Sequence, residues 1–214
     1  MKIIKYLIAV FAIYAFSGCA KTEEFDNTDT KVGQSRVTFF VDLKLNGPAA
    51  VSIVKNGSFT DPGATATENG KPVTVTIGNE LNKSVPGYYQ VTYSATNVDG
   101  FTKTITRDIF VLPAAEAPGV DLSDSYSLTG ADLVSTFTKI LPGVYFASNL
   151  NHPTTPIPGY FISSDGLNII LPDQPSPYGN LNGSGTYTPG TKKMVWTLTI
   201  PSQNYTRTRT FTRQ

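Results

Sequence analysis

Beyond residue 36 the chain is organised by a period of two. In "YYQVTYSAT", Tyr89, Val91, Tyr93 and Ala95 fall on one face, and Gln90, Thr92, Ser94 and Thr96 fall on the other. Alternation of this kind is the signature of a half-buried strand. The same pattern predicts strands over Val37 to Leu45, Val73 to Ile77 and Phe101 to Val111. Asn97-Val98-Asp99-Gly100 separates two of these runs, and Asp-Gly supplies the positive φ that a tight hairpin needs.

A second series of short runs follows: Leu122 to Leu128, Phe137 to Ile140, Gly143 to Ala147, Tyr160 to Ser163, Leu167 to Leu171, Gly185 to Tyr187, Lys193 to Ile200 and Tyr205 to Thr212. Turn residues divide them, which predicts an antiparallel sheet in up-and-down order, closed into a small barrel or folded into a sandwich. In "KKMVWTLTIP", Met194, Trp196, Leu198 and Ile200 share a face, so Trp196 is expected in the core with its indole N–H on a backbone acceptor. Arg207, Arg209 and Arg213 share parity with Tyr205 and Phe211. Either that side is the interior and the arginines reach the barrel mouth or a carboxylate, or it is the outside and they form a basic stripe. The outside stripe is the commoner use of such residues, because charge discourages edge-to-edge pairing. Between the two series, residues 113–126 ("PAAEAPGVDLSDSY") read as a short semi-rigid linker with a boundary near Pro118.

The front end follows a different logic. Lys2 and Lys5 precede an apolar run from Tyr6 to Phe16, and Ser17-Gly18 lead into Cys19. Basic, apolar and small segments in that order predict a secretory signal peptide over 1–18. The apolar run is about half the ~20 residues that a membrane-spanning helix needs. Residues 19–36 are polar and carry Glu23, Glu24, Asp26 and Asp29, which reads as a flexible tether.

Phe16-Ser17-Gly18-Cys19 resembles the bacterial lipobox, with Phe in place of the usual Leu. The resemblance implies that Cys19 is acylated, becomes the new N-terminus and anchors the chain to a membrane. Lys21-Thr22-Glu23-Glu24 resembles the surface-export signal of Bacteroidetes-type lipoproteins, against a plain solvated linker as the alternative. The expected location is the outer membrane, at the cell surface, with the periplasmic face as the fallback.

"FTDPGATA" (Phe59 to Ala66) and "PGYYQVTYSA" (Pro86 to Ala95) resemble the immunoglobulin-like repeat of bacterial surface proteins, with Tyr88 and Tyr89 where one tyrosine is usual. The resemblance implies a seven-stranded antiparallel sandwich over 37–113 that acts as a spacer, stalk or adhesion module. Residues 119–214 look similar to a C-terminal domain, of uncharacterised function, that follows this repeat in Bacteroidetes-type lipoproteins. The expected fold class is therefore all-β, an N-terminal immunoglobulin-like sandwich plus a C-terminal small antiparallel β-barrel or sandwich.

Composition agrees with that class, with 18 Gly and 15 Pro. A formal net charge of +1 gives no electrostatic reason for a nucleic-acid partner. Cys19 is the sole cysteine, so no disulfide is expected. Asp61, Glu68, Asp99 and Asp108 lack the converging oxygens that calcium takes, and Asp61 before Pro62-Gly63 reads as turn chemistry. No metal or cofactor is expected.

Catalysis has a thin inventory. His152 is the sole histidine, no G-x-S-x-G motif is present, and zinc would need several His or Cys ligands. A paired-carboxylate glycoside hydrolase stays open on residue type alone. Binding has better material. Two loops, Ser148 to Gly159 and Pro172 to Ser184, concentrate Asn149, Asn151, His152, Asp173, Gln174, Tyr178, Asn180 and Asn182. Amides pair with sugar hydroxyls and tyrosine rings stack on pyranose faces, although the same residues are ordinary in turns. The expectation is a surface-anchored non-enzymatic lipoprotein whose partner is a polysaccharide or an outer-membrane protein. A purely structural or adhesive envelope component is the alternative.

Overall fold

The structure, a computed structural model, describes residues 37–79 and 81–214. The expected leader (1–18), the tether (19–36) and Cys19 lie outside the described residues. Residues 39–214 form one compact unit, built from a seven-stranded sandwich followed by an eight-stranded closed barrel. The protein is all-β.

The sandwich strands are β1 (Asp42–Leu45), β2 (Ala50–Val54), β3 (Ala64–Glu68), β4 (Lys71–Pro72), β5 (Thr76–Asn79), β6 (Gly87–Thr96) and β7 (Thr102–Leu112). One sheet runs β1-β3-β4 and the other β2-β7-β6-β5. The alternation of β6 is obeyed, with Val91, Tyr93 and Ala95 buried between the sheets. The hairpin from β6 to β7 turns at Asn97–Phe101, where Gly100 takes φ +89° and the Asn97 side chain accepts the Phe101 N–H at 2.7 Å.

Two expectations are corrected. The sandwich is not wholly antiparallel, because β2 pairs with β7 in parallel, Ala50 opposite Asp108 through Val54 opposite Leu112. The chain leaves β1, crosses to the other sheet through Asn46–Ala49 with Gly47 at φ +81°, and reaches the edge running the same way as β7. The expected run Val73 to Ile77 is also not one strand. Residues 73–75 carry the chain from β4 in one sheet to β5 in the other, and Val73 and Val75 pack on the cores they pass.

The barrel strands are β8 (Asp124–Leu128), β9 (Val134–Leu141), β10 (Val144–Ala147), β11 (Gly159–Ile162), β12 (Asn168–Gln174), β13 (Leu181–Thr188), β14 (Lys193–Ile200) and β15 (Tyr205–Arg213). Each pairs antiparallel with its neighbour in sequence, and β15 closes on β8 through Phe211 opposite Leu128 and Arg213 opposite Tyr126. The up-and-down expectation holds, and of the barrel and sandwich alternatives the chain takes the barrel.

Side chains fill the barrel, as they do in small eight-stranded barrels. Tyr126, Phe137, Tyr145, Phe161, Trp196 and Phe211 form a continuous aromatic core, with Phe137 4.2 Å from Tyr126 and Trp196 5.0 Å from Phe211 between ring centroids. Trp196 is 1% exposed and its Nε1–H donates to the Leu150 carbonyl at 3.0 Å. Gly185 pairs with it across β13 and β14, and a Cβ there would lie 2.6 Å from Trp196 Cα and 2.1 Å from the Val195 carbonyl oxygen. The glycine is required by close approach rather than by turn geometry.

The arginine row of β15 takes the interior side, which corrects the expectation of an outer stripe. Phe211 is buried in the barrel core, so Arg209 and Arg213 point inward and escape at opposite ends. Arg209 Nε donates to the Asn151 side chain at 2.9 Å. Arg213 Nε donates to Asp124 at 2.8 Å, and its other nitrogens reach the Asp121 and Ser123 carbonyls. Arg207 stays exposed over the Tyr205 ring.

Sandwich and barrel share an apolar seam. The outer face of β6 and β7 presents Tyr88, Phe110 and Leu112, and the outer wall of β10 to β12 presents Val144, Tyr160, Ile162 and Ile170. Phe110 and Tyr160 meet edge to face at 5.1 Å. The connecting segment is fastened to the barrel: Glu116 accepts the Gly143 N–H and pairs with Lys139, both at 2.9 Å, and the Ala117 N–H donates to Ser164.

Candidate functional site

The two loops singled out in sequence divide their residues among different tasks. Asn149 is 5% exposed, and its carbonyl accepts the N–H groups of Asn151 and Ile157 while its amide donates to the His152 carbonyl. Asn151 is 1% exposed, donates to Thr155 and accepts from Tyr205 and Arg209. Both side chains hold the loop over the barrel mouth. His152 Nδ1 bonds Thr154 Oγ1 at 2.9 Å within the same turn. Asn182 lies on β13 with parity opposite to buried Leu181, hence on the outer wall.

Gln174 is likewise structural. Its Oε1 accepts the Tyr160 N–H and its Nε2 donates to the Tyr160 carbonyl, both at 2.7 Å. The β11–β12 ladder is short, with Ile162 opposite Ile170. The Gln174 side chain thus supplies the pairing that a neighbouring backbone would otherwise give Tyr160.

Tyr178, 38% exposed, stands at the mouth beside Asn151, Thr155, Ile157, Ile200, Gln203 and Tyr205, around a hollow of about 230 Å³. Asp173 and Asn180 face elsewhere. They line a larger groove of about 850 Å³ between the barrel and the sandwich, opposite Gly78 and the start of β6 from Val85 to Gln90.

The groove wall on the sandwich side is held in place. Tyr88 Oη donates to Asp108 at 2.8 Å, Gln90 Nε2 donates to the same carboxylate at 3.0 Å, and Tyr89 Oη donates to the Val85 carbonyl at 3.0 Å. Burial, with the Asp108 carboxylate beside it, raises the Tyr88 phenol well above the ordinary tyrosine range, so it stays a hydrogen-bond donor. Across from it, Asp173 and Asn180 make no side-chain hydrogen bond among the described residues. Partly exposed tyrosine edges on one side and the unengaged Asp173 and Asn180 side chains on the other can hold a hydroxylated ring by edge contact and hydrogen bonds. Asp173 is the one carboxylate among the described lining residues.

The paired tyrosine of the sequence motif thus has a purpose: Tyr89 turns toward the sandwich core and Tyr88 toward the barrel. Sequence reasoning missed the sandwich side of the groove. The departure from the single tyrosine was the available signal.

Asp61 does cap its turn, accepting the Gly63 N–H at 2.9 Å. It also bonds Tyr93 Oη and Arg107 Nη1 inside the sandwich. Among the described residues no group of three metal-ligating side chains converges, and no helix is long and apolar enough to cross a membrane.

Residues 43–111 match the family described as bacterial surface protein, Ig-like domain. No curated protein matches the chain. Among solved structures, the chain is similar to the crystal structure of the lipoprotein BT2262 from Bacteroides thetaiotaomicron. The identity is 23% and the TM-score 0.40, over 82% of this chain and 100% of that one. The family match fits a component of the bacterial cell envelope.

Proposed function

We propose that the protein is a non-enzymatic lipoprotein of the bacterial surface, anchored through acylated Cys19, that captures a glycan in the groove between sandwich and barrel. The observation that carries this reading is the groove itself. Its volume of about 850 Å³ is at the upper end of the ~300–1,000 Å³ usual for ligand sites, and Asp173 and Asn180 face the Tyr88–Gln90 wall across it. A glycosidase of the usual kind needs two carboxylates about 5–10 Å apart, and the described lining offers Asp173 alone, which favours holding over cleaving. The surface Ig-like match supports the location, and the residues around Cys19 support the anchor.

Affinity electrophoresis of residues 20–214 in polysaccharide gels tests the site. Asp173→Ala and Asn180→Ala are expected to abolish retardation at unchanged thermal stability, and Tyr178→Ala, at the barrel mouth, to leave it intact. If no polysaccharide retards the protein, the glycan reading falls and the structural alternative stands. If Tyr178→Ala alone removes binding, the site is the mouth.

A further inference from the structure

The far end of the sandwich carries an apolar tip. Val98 is 76% exposed at the β6–β7 turn, Phe101 54%, Phe40 69% and Phe39 44%. Phe40 and Phe101 meet at 5.5 Å between ring centroids, the Asn97 amide donates to the Phe39 carbonyl at 2.8 Å, and Val98 follows Asn97 in the same turn. Large exposed side chains scattered singly are normal on a soluble surface, but an exposed aromatic pair with a large aliphatic side chain at one hairpin tip calls for a counterpart. A turn of the sequence Asn-Val-Asp-Gly has no folding need for an apolar second residue.

We infer that this tip is a docking surface for the lipid bilayer, which Phe40, Val98 and Phe101 enter at the level of the headgroups. Position argues for this occupant. The chain enters the compact unit at Phe39, beside the tip, and residues 19–36 fully extended span at most about 60 Å. An anchor at Cys19 therefore keeps the tip within reach of the membrane at high effective concentration, where a few apolar side chains suffice. The Asp42 carboxyl, lowered first by its hydrogen bond from Lys44, is lowered further by Lys103, exposed two residues beyond Phe101. The Glu68 carboxylate accepts the Val98 N–H at 3.1 Å. The charge around the tip is therefore mixed and the approach rests on its apolar side chains, aromatic residues being at home in the interface. The barrel packs at the opposite end of the same hairpin. β6 and β7 pair from Gly87 opposite Val111, at the barrel seam, to Thr96 opposite Thr102, at the tip, a length of about 30 Å. Docking by the tip would leave barrel and groove facing away from the membrane.

The inference rests on the Cys19 anchor for its setting, so the experiment replaces that anchor. Residues 20–214, which contain the whole compact unit, carry an N-terminal hexahistidine tag and are captured on phosphatidylcholine–phosphatidylethanolamine vesicles doped with nickel-chelating lipid. Phe101→Trp serves as reporter, read as the difference from the parent chain, whose Trp196 is buried. The expected result is a blue-shifted emission quenched by brominated acyl chains. Adding Phe40→Asp and Val98→Asp should lower the vesicle partition of the untethered protein at least tenfold, given the free energy of burying two such side chains. An aqueous, unquenched Phe101→Trp emission on protein that is captured would overturn the inference. So would a concentration-dependent dimer in sedimentation that the same two substitutions dissolve, since a second copy would then cover the tip. Metabolic labelling with radioactive palmitate, wild type against Cys19→Ser, reads the anchor separately.

Discussion

Arg107 and Asp61, 46 residues apart, join β7 to the turn before β3 inside the sandwich. The guanidinium is fully buried, and it also donates to the Pro48 carbonyl at 2.9 Å, the Asn46 carbonyl at 2.6 Å and Tyr93 Oη at 2.9 Å. A buried cation that spends its donors on two loop segments and on Tyr93 of β6 ties the crossover between the sheets to the strands beside it. Removing its partner strands the charge. Asp61→Ala should therefore cost about 3–5 kcal/mol in urea unfolding. Asp61→Asn should cost less, because an acceptor for Gly63 and Tyr93 remains. A loss below about 1 kcal/mol for Asp61→Ala would show that the guanidinium finds other company.

Tyr93 shares that network and makes stability sensitive to alkali. Burial, with the Asp61 carboxylate adding and Arg107 opposing, pushes its phenol up to about 12. Burial also raises Tyr126 and Tyr145. Unfolded tyrosine ionises near pH 10, so above that value the unfolded chain gives up protons that the folded chain retains, and stability falls as pH rises through the folded value. The urea midpoint should hold to about pH 10 and decline from there toward pH 12. A midpoint that stays level across that window would contradict the assignment.

Gly185 and Trp196 set the tightest point of the barrel. Gly185→Ala forces a methyl against the β14 backbone, which cannot give way as a flexible side chain would, so it should cost at least about 3 kcal/mol, the upper range for overpacking. Trp196→Phe should cost about 2–4 kcal/mol, combining lost volume with a Leu150 carbonyl left unpaired. Near-ultraviolet circular dichroism and thermal melts check both.

Phe110 lies in the seam, fully buried against Tyr88 and Tyr160. Phe110→Ala should destabilise the pair of domains by about 3–5 kcal/mol, and scanning calorimetry should resolve one endotherm into two as sandwich and barrel lose their coupling. A single endotherm at lower temperature would place the coupling elsewhere in the seam.

Most barrel strands were legible because one face is wet and period-two alternation survives, as in β14, whereas β11, covered on its outer face by the sandwich, does not alternate and was marked by its flanking turn residues. The parallel pairing of β2 was not, since alternation says which face is buried and nothing about direction. Arg107 could have been found. It shares parity with Ile105 and Ile109, which marks a charge on the inner row. The candidate site was legible in residue type more than in place. Asn149, Asn151 and Gln174 satisfy backbone groups that loops leave unpaired, and sequence cannot tell an amide turned inward from one turned out. The groove joins segments near residues 78–90 and 173–180, so no local pattern could announce it.

The barrel closes with its last strand. All the pairings of the sandwich are available once Leu112 has been made, whereas β8 lacks one neighbour until Phe211 to Arg213 arrive. A chain that emerges from a membrane with its N-terminus first would thus complete the sandwich early and display Phe110 and Leu112 without cover. The open β-sheet that follows would need shielding from other nascent chains during that interval. The timing of translocation, more than final stability, would then decide how much of the protein escapes aggregation.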